Sequence, residues 1–176
     1  QDLAIQMGLA RPVSLVVSEN APSPITLGLL HPLVILPPLD ADQEKLIWIL
    51  RHELAHQAGG HLWCKLLLLL ARAVHWFNPL VHQMARQAAR DLELACDNRV
   101  VAGASPVQRR AYARTLLAAL ETASASTTSL STPWQGGSSM MKQRFHNLFS
   151  PIPRRRGRML PAIALAAVLW LGGLVS

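Results

Sequence analysis

Cysteine is nearly absent: Cys64 and Cys96 are the only two. That excludes a disulfide-built scaffold and the paired spacing of a zinc ribbon, and leaves two buried thiols of a reducing compartment. Charge is scarce as well, at 15% of 176 residues against 51% apolar. This is apolar-rich for a soluble domain and too polar for a bundle of membrane spans, so a domain lying beside a membrane fits. No internal repeat and no basic-then-apolar leader is visible. The chain begins at Gln1 and stops inside an apolar run at Ser176, which reads as one domain cut from a longer protein. Acidic residues are outnumbered, leaving a formal charge of +7. Nucleic-acid binding would need aromatic and basic residues interleaved, or a recognition helix, and neither pattern is present. The bases are scattered singly until Arg154, Arg155, Arg156 and Arg158 cluster before the last apolar run. That placement suits anionic lipid headgroups.

What is present reads as α+β, mainly helical with a small N-terminal sheet. Residues 11–38 are rich in β-branched residues and proline, predicting short strands at 13–17, 25–29 and 33–36. Asp40, with Gln43 three residues on, offers an N-cap for a helix over about 42–58, which Gly59 and Gly60 stop. Residues 61–77 are strongly apolar but interrupted by Lys65, Arg72 and His75, predicting a helix buried in the domain or lying against the bilayer. Asn78 and Pro79 suit the N-cap and first position of a helix over about 79–102. Another begins at Ser105 and Pro106 and passes Leu120. The serine- and threonine-rich residues 122–139 predict a loop. Residues 159–175 carry no charge, and with arginines at their edge they predict the start of a transmembrane helix over 159–176, with the folded domain, residues 1–158, on the cytoplasmic side.

The chemistry concentrates on His52-Glu53-Leu54-Ala55-His56. Imidazoles four residues apart share one helix face and reach a single Zn2+, while Glu53 stands ready as general base. A catalytic zinc keeps three protein ligands and an open fourth position, so a third ligand is needed. Glu93, one turn before Asp97 on the next long helix, is the candidate, and Asp97 would then accept a hydrogen bond from a ligand imidazole. The alternative is a solvated ion-pair stripe of Arg86, Arg90, Glu93 and Asp97. His75 and His82 read as structural, His31 as a turn residue, and Cys96 as a small buried hydrophobe rather than a ligand. A strand between residues 25 and 36 either faces the cleft, where an extended peptide would add to its edge, or is structural only.

Three segments carry a resemblance: Ser23-Pro24-Ile25-Thr26-Leu27-Gly28 running on through Pro32 and Pro37; the histidine helix; and Trp76-Phe77-Asn78-Pro79-Leu80 followed by Glu93-Leu94-Ala95-Cys96-Asp97. With Tyr112, Ala113, Leu116 and Leu117 they extend over nearly the whole chain, which resembles the BlaR/MecR-type antirepressor membrane zinc metallopeptidases. The resemblance implies a zincin-like fold of the gluzincin type, zinc on His52, His56 and Glu93, and Glu53 as the catalytic base. It also implies signalling by regulated proteolysis at the bacterial inner membrane, the substrate being the protein itself or a cytoplasmic transcriptional repressor. A homodimer is compatible with it. His61 departs from the pattern, standing where an acidic residue often follows the second histidine by five. A non-catalytic metal-binding scaffold is the competing function, and the intact Glu53 argues against it, since a structural zinc needs no base.

Overall fold

The computed structural model describes residues 2–9, 11–21, 23–38, 42–125 and 137–150. After a short helix α1 (Asp2–Gln6) come strands β1 (Ser14–Val17), β2 (Ile25–Leu27) and β3 (Leu33–Leu36). Helices α2 (Gln43–Ala58), α3 (His61–Val74), α4 (Pro79–Val100), α5 (Pro106–Ala125) and α6 (Gly137–Phe149) follow. The chain is thus α+β and mainly helical. The sheet has order β1-β3-β2, with β1 parallel and β2 antiparallel to β3. Only β3 alternates cleanly, burying Val34 and Leu36.

Asp42 caps α2, its carboxylate accepting from the Lys45 amide at 2.9 Å. The cap expected at Asp40 is therefore displaced by two residues, and Asp40 itself lies outside the described residues. Asn78 caps α4 by accepting from Leu80 N at 3.0 Å, with Pro79 in the first helical position where its missing N–H leaves nothing unpaired. The turn before α4 is tied by His82, whose Nε2 donates to the Trp76 carbonyl at 2.9 Å and whose Nδ1 accepts from Arg72 Nε at 3.3 Å.

Helix α6 occupies residues for which the sequence predicted either a loop or no element, and it overlaps the end of the expected loop. Together α2, α4, α5 and α6 enclose the core of Trp48, Ala55, Cys96, Val100, Val101, Tyr112, Ala113, Leu116 and Leu148. Arg109 fastens the last three of these helices, donating to the carbonyls of Ala104, Val101 and Leu148 at 3.2, 3.2 and 2.9 Å. No helix among the described residues is long and apolar enough to cross a membrane, and the span expected at 159–176 lies outside them.

The edge strand β2 is held to α2 by Gln57, whose Nε2 donates to the carbonyls of Leu27 at 2.9 Å and Gly28 at 3.3 Å. Gly28 turns the chain out of β2 with φ +82°, and a Cβ there would stand 2.0 Å from the His31 carbonyl oxygen. Gly28→Ala is expected to lose more than the roughly 1–2 kcal/mol of a left-handed alanine. Gly8→Ala, at the same φ with nothing within 4 Å, should lose only that conformational part. Urea unfolding of the two variants beside the wild type checks the difference.

Candidate metal centre

Helix α2 buries polar residues as well as apolar ones. Glu53 and His56 are inside along with Trp48, Leu54 and Ala55. Buried polar groups must find partners, and the neighbouring elements supply them. Helix α4 brings Glu93 against both imidazoles, with Oε2 3.5 Å from His52 Nε2 and Oε1 3.6 Å from His56 Nε2. One ligand atom from each of His52, His56 and Glu93 lies within 4.8 Å of the others. The three residues named from the sequence are therefore neighbours in space, and the solvated stripe is not what forms: Glu93 turns inward.

Each histidine has its outer nitrogen engaged. His52 Nδ1 lies 2.9 Å from the Tyr112 hydroxyl, which itself donates to Asp97 Oδ1 at 2.7 Å. A hydroxyl that gives its single proton to a carboxylate can only accept from the imidazole, so Nδ1 carries the His52 proton and Nε2 keeps its lone pair. Asp97 was expected to accept a hydrogen bond from the imidazole directly; its Oδ1 is 3.6 Å from His52 Nδ1, and the Tyr112 hydroxyl bonds to both. His56 Nδ1 lies 3.3 Å from His61 Nδ1.

Arg144 on α6 completes the arrangement. Its Nε and one terminal nitrogen both donate to the Asp97 carboxylate at 2.7 Å, a bidentate pair, and its other terminal nitrogen is 3.8 Å from Glu93 Oε2. Neither Arg144 nor the bridging Tyr112 was identified as a site residue from sequence. Both act through partners far away in the chain, which no local pattern signals. Thr26 on β2 is the third: its Oγ1 is 2.5 Å from Glu53 Oε2 and 3.2 Å from the Glu53 carbonyl. Edge strand β2 therefore faces the site, and Pro24, Ile25 and Thr26 line a cleft of about 330 Å3 with His52, Glu53, His56 and Glu93.

Electrostatics leave the donors in metal-binding form. Burial, seconded by the charge of His52, lowers the His56 pKa to about 3. Burial pushes the Glu93 carboxyl up, but hydrogen bonding to His52 and the charges of His52, His56 and Arg144 outweigh it and hold the group at about 2. At neutral pH the centre is thus a neutral His56 imidazole and a Glu93 carboxylate converging on one point beside an open cleft. A cation that takes two imidazoles and a carboxylate and leaves a position open fits these donors, and Zn2+ is such a cation.

The family profile described as BlaR1 peptidase M56 matches residues 1–148. Among curated proteins the chain is similar to the regulatory protein BlaR1 of Bacillus licheniformis, 38% identical over 79 residues, which is 43% of this chain and 13% of that protein. It is also similar to the methicillin resistance mecR1 protein of Staphylococcus aureus, 25% identical over 92 residues, 51% of this chain and 16% of that protein. The match thus spans a small part of the length of either relative.

Removing Arg144 leaves the fully buried Asp97 without its counter-charge. Arg144→Ala is expected to destabilise the chain by about 3–5 kcal/mol, measured by urea unfolding. Acid should act through His56. Unfolded, it binds a proton near 6.5; folded, not until about 3. Between those values the unfolded chain holds the extra proton, so stability rises with pH across the window and falls on acidification. The melting temperature of the chelator-treated chain should drop between pH of about 7 and about 4, and His56→Gln should flatten that slope.

Proposed function

The chain belongs to the BlaR1 peptidase M56 family, and from that premise we propose that it is a zinc-dependent endopeptidase of gluzincin-like fold that acts in transmembrane signalling. The observation that carries the reading is the convergence of His52 Nε2, His56 Nε2 and the Glu93 carboxylate at the mouth of the cleft, with Glu53 beside them.

In this reading His52, His56 and Glu93 hold the ion. Zinc bound there supplies Lewis acidity toward a peptide carbonyl. The chain's own groups do the rest. Thr26 binds one oxygen of Glu53 and so orients the carboxylate, which takes a proton from the attacking water and hands it to the departing amine. Tyr112 and Asp97 hold His52 in the tautomer that keeps Nε2 available, and Arg144 fixes the Asp97 carboxylate by two hydrogen bonds. An extended substrate would lie along the edge strand β2, whose Ile25 and Thr26 line the cleft.

The substrate is a protein, either a transcriptional repressor or a second site on the protease itself. Membrane attachment has two supports. One is the arginine cluster ahead of the uncharged residues 159–175, an arrangement that favours a cytoplasmic catalytic domain at the inner membrane. The other is the apolar surface of α3 and the turn after it, where Trp63, Leu67, Leu70, Val74, Trp76 and Phe77 are all exposed. Exposed aromatic and aliphatic side chains recurring at helical spacing along α3 suit an interfacial helix.

Glu53→Gln should retain zinc and fold while proteolysis falls by about 10²- to 10⁴-fold, since the amide keeps the hydrogen bond with Thr26 but accepts no proton. The measurement is cleavage of the protein itself or of the repressor in membranes carrying the intact protein, with zinc determined on both forms. Cleavage at the wild-type rate by a zinc-loaded variant would remove Glu53 from the mechanism.

A further inference from the structure

His56 stands at a fork. Its Nε2 faces Glu93, while its Nδ1 lies 3.3 Å from His61 Nδ1, and that same His61 atom lies 3.2 Å from Cys96 Sγ. All three residues are buried, and one ligand atom from each lies within 4.8 Å of the others. They come from three elements: His56 from α2, His61 from the first position of α3, and Cys96 from α4. Nitrogens bound to one tetrahedral ion at about 2.0–2.1 Å stand roughly 3.3 Å apart, and a nitrogen and a thiolate sulfur at about 2.3 Å stand roughly 3.5 Å apart. The His56–His61 and His61–Cys96 separations are close to those values.

Hydrogen bonding accounts for the trio poorly. A neutral imidazole Nδ1 has either one proton or one lone pair, so His61 can serve only one of its two neighbours fully. A cation uses the lone pairs of all three at once. The thiolate and imidazole set selects a thiophilic transition ion over Mg2+ or Ca2+. Room for the His61 ring is provided by Gly59, where a Cβ would come within 2.3 Å of His61 Nε2.

We propose that His56, His61 and Cys96 form a second, buried coordination site for a thiophilic divalent cation, and that it excludes the cleft site because both draw on His56. A neutral imidazole has one lone pair. With Nε2 bound in the cleft, Nδ1 carries the proton and points it at His61. With Nδ1 bound in the buried site, Nε2 carries the proton toward Glu93 and the cleft is left without its second imidazole. Binding in the buried site releases the Cys96 thiol proton to solvent and leaves the sulfur as thiolate. The site stands on its own residues; its consequence, a protease silenced by the metal it needs, rests on the proposed function.

Cobalt separates the two sites, because thiolate coordination adds a sulfur-to-metal charge-transfer absorption that a histidine-carboxylate site lacks. The full chain is stripped of metal and titrated with Co2+, with bound cobalt counted by equilibrium dialysis and folding followed by circular dichroism. Glu93→Ala should still bind about one Co2+ per chain, now with the charge-transfer band. Adding Cys96→Ser should weaken that binding by more than about tenfold and remove the band, and adding His61→Gln, as a second variant, should weaken it by a similar factor. The wild type should not exceed about one Co2+ per chain. Glu93→Ala binding no cobalt, or binding it without the band, would overturn the site and leave His61 as a hydrogen-bond partner of His56 alone. Two cobalt ions on one wild-type chain would overturn the exclusion. Neither result bears on Glu53, whose own variant tests the hydrolytic reading separately.

Discussion

The centre depends on one buried carboxylate. Asp97 has no solvent exposure, yet three donated hydrogen bonds reach it, two from Arg144 on α6 and one from Tyr112 on α5. A buried carboxylate needs hydrogen-bond donors and a counter-charge, and Arg144 and Tyr112 supply both. Everything on the His52 side of the site follows. Because Asp97 accepts the hydrogen bond of the Tyr112 hydroxyl, that hydroxyl can only accept from His52, and the tautomer of the imidazole is decided two hydrogen bonds away from the ring. Burial and Asp97 together raise the Tyr112 pKa, so the phenol stays protonated and the relay keeps its direction. The same charge pair gathers three helices around α2, so geometry and stability are supplied by one interaction.

The two histidine outlets are built differently. His52 leans on an ionic network that gives a fixed polarity, whereas His56 leans on a second imidazole and a thiol, neither of which is charged where it sits. Burial lowers the His61 pKa, Lys65 adding to it, and raises that of the Cys96 thiol, Glu93 adding to it. One imidazole is thus locked and the other is adjustable. That asymmetry arises where the sequence departs from its resemblance, at His61.

Much of the arrangement was legible from local pattern. The i, i+4 spacing of His52 and His56, the matching spacing of Glu93 and Asp97, the Asn78-Pro79 start of α4 and the glycine pair after α2 are all statements about one helix at a time, which short-range periodicity carries well. What was not legible depends on distance. Tyr112 meets His52 across 60 positions and Arg144 meets Asp97 across 47. Arginine on a helix face usually means a solvated charge, and here it is nearly enclosed. Helix α6 was missed because serine, glycine and threonine around it lower helix propensity, while its stabilisation comes from Leu148 in the core and from Arg109 and Arg144. The cap of α2 was placed two residues early because two aspartates compete for the role within three positions, and only the backbone decides between them.

Gly59 has a consequence for how variation in this chain should be interpreted. Its backbone is ordinary right-handed helix-end geometry, φ −86°, which any residue adopts. The position is restricted solely because the His61 ring occupies the volume a side chain would need. Residues 59 and 61 therefore share one parcel of space and do not vary independently: a smaller residue at 61 would free position 59, and an alanine at 59 would require the ring to leave. Scanning single substitutions would score position 59 as intolerant and attribute to glycine a conformational role that it does not have. Only paired substitutions would reveal that the restriction is a shared volume.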